Sequence, residues 1–444
     1  MKAADRSVLA LLILTVALGT MPWTAPAEAK SNLNRMREKA EEFTSSWLEA
    51  DYQHRFEGKE AKIYRVLNDF GYLFSTTKIS DIEDEKQHVS DPTDIRAHEM
   101  LADFIEENIL RFKLAALLDD IHNFMLDEEV ELLDGKHTLR AVRTQAATEP
   151  DRRARKLAYV SLADKYTIAN VYKNQIIANT LDFIREIGYT DYAAMRSDHQ
   201  QIDYAQLGTF CDQLLAETAA VYEQGLARQA EQVLDEEFDK VRRYDLEFLT
   251  LSSEMDATLD KVDTDRIVGQ LRRTLGLPEG KRGKKIYEVE LKGDEKRQYR
   301  GDVFGIDLDK KIIAAGRTNG ATADLVFELE SLGRVSRLIT IATPQWEFRR
   351  LASRPIDLAA GYLFASLLTE PAFNTDVLGL SEADAARLAR SRRFADLLDL
   401  RLDATSFMFQ RMLYEDFKLA QPKYNPFMEE HLKIKLLTID SEFY

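Results

Sequence analysis

Hydrolysis by a metal-bound water needs ligands with lone pairs and a group that takes the water's proton, so histidines and carboxylates come first. The chain carries seven histidines: His54, His88, His98, His122, His137, His199 and His431. No two are three or four apart, so no helix face presents a histidine pair. His98-Glu99 begins the string HEML, but Ala102 stands where a second ligand would fall. Each imidazole is therefore expected on the surface or in the core. Carboxylate pairs such as Asp119-Asp120 and Glu236-Glu237 read as surface groups of an acidic helical chain. The single cysteine, Cys211, sits in the apolar run AQLGTFCDQLLAE and reads as a buried small hydrophobe, with no disulfide open to it. There is no G-x-S-x-G elbow, no phosphate-cradling G-x-x-x-x-G-K loop and no G-x-G-x-x-G after a strand.

The stretch that could position chemistry is Val326 to Ser366. Its first part, to about Thr343, places Leu329, Leu332, Ser336 and Ile339 on one helical face. A second helix begins after Pro355 and carries Leu358, Ala359, Tyr362 and Leu363. Thr343 to Arg354 connects them. Glu330 and Arg334 are spaced to pair along the first helix, with Arg337 one turn further. Periodicity alone favours an ordinary solvated helix face for Glu330, Arg334 and Arg337.

The remaining elements are read mostly as helices. Residues 31–79 carry two helical patterns, Ser80 to Pro92 reads as an acidic loop, and Thr93 to Leu126 as a long helix. Around Asp134-Gly135 there is a turn. Thr148 precedes Pro150 as a cap, and Arg152, Arg153, Arg155 and Lys156 follow as a solvated face. Tyr204 to about Arg242 is the longest pattern, one spine or two helices, interrupted by Thr218. Thr258 to Leu275 and Ala383 to Leu419 are further helices. The period changes at Lys284–Lys292, Asp302–Leu308 and Lys310–Gly316, which predict a few antiparallel strands just before the featured helix.

With 444 residues, 45% of them hydrophobic, and only 19 Gly and 10 Pro, the chain reads as a mainly α protein with a large core. Residues 30–280 form a helical region, and 281–444 the β element with a second helical region, together one cleft-forming unit. A net charge of −16 argues against a phosphate-backbone partner, since no basic stripe is visible. Lys2 and Arg6, the apolar Val8–Leu18 and the Ala27-Glu28-Ala29 sequence predict a signal peptide over 1–29. No later apolar run is long enough to span a bilayer. The mature chain is expected to be exported, periplasmic or secreted.

Glu330-Ser331-Leu332-Gly333-Arg334 resembles the His-Glu-x-Gly-His helix of the gluzincin zinc peptidases, the angiotensin-converting-enzyme-like and oligoendopeptidase-like families. Phe348-Arg349-Arg350-Leu351-Ala352-Ser353 through Ala359-Ala360-Gly361 resembles the segment that carries their third zinc ligand. The resemblance implies an elongated multi-helix body around a cleft. It sets Glu330 at the first His, Ser331 at the catalytic Glu, Arg334 at the second His and Leu358 at the third ligand. Arg334 has no lone pair to give, Leu358 no donor atom, and Ser331 is a poor base at neutral pH. The expectation is a site without zinc or catalytic residues, closed by a Glu330–Arg334 ion pair and a packed Leu358. Arg337, Phe348, Arg349 and Asp357 are candidate cleft residues. Asp440 to Tyr444 resembles the approach to the family's oxyanion-stabilising region. A non-catalytic relative binding a peptide or an exported protein is the leading reading. The alternatives are a hydrolase with a non-standard site built from His98, His122 or His199, and a helical interaction scaffold.

Overall fold

The computed structural model describes residues 32–277, 280–281, 284–351 and 354–443. The signal-peptide reading over 1–29, and residues Ala352, Ser353 and Tyr444, lie outside them. The chain opens with α1 (Asn32–Glu57), α2 (Ile63–Asp69), α3 (Thr76–Lys86) and α4 (Pro92–Asp127). Helix α3 occupies most of the stretch expected as a loop. Ser75 caps it by accepting from the Lys78 N–H, and Ile82 is wholly buried, so one cap and one anchor outweigh the acidic composition.

A hairpin of β1 (Glu129–Leu132) and β2 (Gly135–Thr138) turns at Asp134-Gly135. Next come α5 (Leu139–Thr148), α6 (Arg152–Ser161), α7 (Ala163–Glu186), α8 (Tyr192–Gln200), α9 (Tyr204–Glu217) and α10 (Ala219–Gln229). Asp151, not Thr148, caps α6, accepting from the Ala154 N–H at 2.8 Å. Arg153 and Lys156 are exposed as expected, but Arg152 and Arg155 are not part of a solvated face. Arg155 is 0% exposed and pairs at 2.9 Å with Asp245, itself 0% exposed, and Arg152 grips the same carboxylate. The long pattern from Tyr204 breaks at Thr218, whose hydroxyl bonds Leu214 O at 2.7 Å and accepts from Arg401 at 2.6 Å. A π turn, Ala230–Leu234, closes it.

Then follow α11 (Arg243–Thr250), the single turn α12 (Asp256–Leu259) and α13 (Thr264–Thr274). The helix expected from Thr258 is divided by Asp263, which caps α13. Short strands β3 (Gly280–Lys281) and β4 (Lys284–Lys285) lead to β5 (Tyr287–Lys292), β6 (Asp302–Asp307) and β7 (Lys311–Arg317). The sheet before the featured helix is mixed rather than antiparallel. Its order is β5-β7-β6, with β6 antiparallel and β5 parallel to β7. Arg297, 2% exposed, holds the β5–β6 crossing in place by donating to Glu290 O and Gly316 O, both at 2.9 Å.

The C-terminal region holds α14 (Ala321–Thr340), α15 (Trp346–Arg350), α16 (Arg354–Ala365), α17 (Pro371–Asp376), α18 (Glu382–Ala420) and α19 (Tyr424–Leu432). Helix α18, the longest, breaks at Asp416. A final 3-10 turn covers Thr438–Phe443.

The apolar clusters join the early helices to the later ones. Tyr52 and Phe56 pack with Phe304, Ile306 and Ile313 on the sheet. Tyr222, Leu226 and Leu246 pack with Leu398, Leu402 and Phe409 of α18. Cys211 is buried beside Leu215 and Ala404. Among the described residues no helix is long and apolar enough to cross a membrane.

Candidate functional site

Helices α14 and α16 cross with their backbones almost in contact. A Cβ on Gly333 would collide with the carbonyl oxygen of Ala360, and one on Gly361 would lie 3.1 Å from Glu330 O and from Arg334 Cγ. Leu325, Leu329 and Leu332 anchor α14 in one core, Val335 and Ile339 against the sheet. This fixes the helix about its axis and lays Arg334 between β6 and α16.

Arg334 does not pair with Glu330. Its Nη2 donates to Asp302 at 2.8 Å, and its Nε lies 3.5 Å from Asp357. Arg337 also binds Asp357 at 2.8 Å, from the next turn of α14. Asp302 takes a second guanidinium, Arg55 of α1, at 2.7 Å, and Arg55 reaches Asp51 at 3.4 Å. Arg354 lies 3.6 Å from Asp302. An unbroken alternation of charge, Asp51–Arg55–Asp302–Arg334–Asp357–Arg337, thus runs from α1 through β6 to α14 and α16. Burial pushes the Asp302 carboxyl up, but Arg334 and Arg55 outweigh it and hold it at about 2. Two carboxylates from other elements take Arg334 in place of its neighbour Glu330 on the same helix, and this replaces the expected pair.

Ser331 is 1% exposed, and its hydroxyl has no partner among the described residues. Leu358 is half-buried rather than packed. Asp357 and Arg337 are drawn to Arg334, whereas Arg349 turns to Asp309 in the β6–β7 turn at 2.7 Å and Phe348 is half-buried on the same short helix. Arg350 binds Glu41 of α1 and the Gly305 and Ile306 carbonyls. Asp302, Arg55 and Asp51 are the members that the sequence pattern missed. The one local signal was a charged residue opening the otherwise buried strand DVFGID.

Glu330 faces the other way, toward α18. Burial raises its carboxyl to about 7, with Asp399 and Asp396 adding repulsion against Arg392 and Arg334. Asp399 is likewise raised by burial, to about 6, and Asp403 is raised as well. Tyr362 is 54% exposed, yet crowding lifts its phenol to about 12. The Arg300 side chain is 64% exposed and lies 3.8 Å from Asp399. Burial thus dominates the titration of Glu330, Asp399, Asp403 and Tyr362. Ile356 and Leu363 expose apolar surface on the same helix as Tyr362.

His98, His54 and His199 meet three different surroundings. His98 is buried and bonds Asp94 O at 2.6 Å within its own helix. His54 has Nδ1 on Lys59 O at 2.9 Å and Nε2 against Arg140 at 3.0 Å, and it stacks on His122. The carbonyl takes a proton and the guanidinium gives one, so His54 is neutral with the proton on Nδ1. Burial and Arg140 lower it to about 4. His199 instead gathers Glu106 at 3.0 Å, Glu107 at 3.5 Å and Asp103 at 3.9 Å. Burial opposes its charge, but the bonds to Glu106 and Glu107 raise it to about 9. Among the described residues, no three His, Cys, Asp or Glu side chains are arranged to hold a metal ion. Asp440, at the chain's far end, is buried and accepts from Tyr159 Oη at 2.7 Å.

No protein-family model matches this sequence, and no curated protein does. Solved structures do match by shape. PZ peptidase A, in complex with an inhibitor, gives a TM-score of 0.55 at 11% identity, over 92% of this chain and 81% of that one. A Bacillus anthracis protein assigned as an oligoendopeptidase F gives 0.51 at 14% identity, over 96% and 86%. A second oligoendopeptidase F assignment gives 0.53 at 13% identity, over 93% and 81%. The chain therefore has the fold of oligoendopeptidase-type peptidases.

Proposed function

We propose that this chain is a non-catalytic relative of the oligoendopeptidase-type zinc peptidases, which holds a peptide or an exported protein partner against α14 and α16. The observation that carries this reading is Arg334, whose Nη2 donates to Asp302 and whose Nε, without a hydrogen bond of its own, lies 3.5 Å from Asp357. A group with donors only, already held by two carboxylates, does not fit a zinc ion, and neither does the aliphatic Leu358. Ser331, shut away from solvent, is no substitute for a carboxylate base. The residues at the matched positions thus support binding without hydrolysis. Glu330, Tyr362 and Asp399, with the exposed Ile356 and Leu363, offer apolar and acidic surface to an extended chain. Residues 1–29 are proposed to direct export to the periplasm or the exterior.

The test is zinc analysis of the purified chain alongside cleavage of a quenched fluorescent peptide library. The expected result is no chelator-removable zinc, no cleavage and measurable peptide binding. One tightly bound zinc per chain together with cleavage overturns the reading. A second reading, hydrolysis at a non-standard site, has the His199 cluster in its favour; cleavage abolished by His199→Asn would establish it.

A further inference from the structure

A recess of about 510 Å³ lies between α8, α9 and the C-terminal half of α18, within the size range of small-molecule sites. Four aromatic rings line it. Tyr192 and Tyr414 stack with centroids 4.0 Å apart, and Tyr204 lies 5.6 Å from Phe407. Most of its polar groups are already used. Asp191 caps α8 and Asp203 caps α9. Arg196 pairs with Glu107, and Tyr204 Oη donates to Gln200 at 2.7 Å.

Arg411 is different. It has no hydrogen-bond or ion-pair partner among the described residues, and its Nε is enclosed without an acceptor. Its guanidinium lies directly on Gly208 of α9, where any Cβ would collide with Nη1. A glycine keeps the slot open, and the slot holds the fork in place. In a chain with 76 acidic side chains against 60 Lys and Arg, a positioned, half-buried guanidinium without a carboxylate is free to take an acceptor from outside. Glu415, on the same recess, is exposed and does not take that role.

We propose that this recess binds a ligand joining a planar aromatic group to a carboxylate. The ring packs against Tyr192, Phe407 and Tyr414, and the carboxylate accepts from the Arg411 fork, as bidentate guanidinium–carboxylate pairs do. The proposal does not depend on the reading of the α14 site. The carboxylate comes either from a free aromatic acid or from the C-terminus of a peptide ending in an aromatic residue.

Calorimetric titration of the full chain decides it, with N-acetyl-tyrosine, a tetrapeptide ending in phenylalanine, and the amide of each. Saturable one-to-one binding of the acids is expected, with the amides about tenfold weaker or worse. Arg411→Gln should lose the same factor, with an unchanged circular dichroism spectrum. Tighter binding of the tetrapeptide than of N-acetyl-tyrosine identifies a peptide terminus, and the reverse a free aromatic acid. Equal binding of acids and amides, or no binding at millimolar probe, overturns the proposal. If Arg411→Gln does not fold, the acid–amide comparison on the unaltered chain still decides.

Discussion

Glu330 and Arg334 stand one turn apart on α14, yet they meet opposite surroundings. On the Arg334 side every charge has a partner, and Asp302 is held at about 2 between two guanidiniums. On the Glu330 side the carboxylates outnumber their partners, and Glu330 is lifted to about 7. One flank is closed by ion pairs between elements far apart in sequence, and the other is left open and under-compensated. An under-compensated carboxylate adds no stability of its own, and in the proposed reading this flank is where a partner would bind.

The comparison can be broken most severely at the crossing itself. Gly333→Val drives side-chain atoms into the Ala360 carbonyl, which is backbone and cannot swing aside. The helices must separate, and both flanks are lost together. Thermal unfolding should show a Tm fall beyond 10 °C or no folded protein; a near-normal melt would mean that the close approach does not exist.

Arg334→Met tests the closed flank alone. It leaves Asp302 and Asp357 short of a partner, with an expected loss of about 3–5 kcal/mol in urea unfolding at pH 7. The pH dependence carries a sign. Asp302 is depressed on folding, so its contribution is present above the usual carboxylate range and is lost as pH falls through about 2. The variant's deficit should therefore shrink on acidification, and adding Asp302→Asn should recover part of it. A deficit independent of pH would remove the charge pairing from the explanation.

Glu330→Gln sharpens the open flank and has the smallest effect. Glu330 is raised on folding, so its ionisation works against the fold as pH climbs from the usual carboxylate value through about 7. The variant should be more stable at pH 8 by about 1 kcal/mol or less, and no more stable at pH 4. Lower stability at pH 8 would show that Glu330 has a partner on the open side.

The sequence displays what is local. The two helices, their connection, the three β segments and the break at Thr218 follow from periodicity and from single polar interruptions. The expected Glu330–Arg334 pair was also a local inference, and it failed because the stronger partners are not local. Asp302 arrives from a strand and Arg55 from the first helix, and no spacing rule reaches that far. In the Arg152–Lys156 run the reading of Arg152 and Arg155 failed for the same reason, while Arg153 and Lys156 are exposed as expected. A charge run reads as solvated until Asp245, brought from α11, makes Arg155 part of the interior. The strands were legible, but their order was not, because it depends on the crossing that Arg297 holds down.

The buried bond between Tyr159 and Asp440 joins residues 281 positions apart, and Asn170 similarly binds Glu442 across 272. Contacts of such long range set the pace of folding, since the entropy of closing the loop is spent before the contact repays it. During synthesis the part of the α6–α7 surface that Thr438–Phe443 covers stays open until those residues have emerged. The native state is therefore reached only after the ribosome has delivered almost all of the described chain, and until then the molecule is an unfinished polymer open to chaperones and proteases.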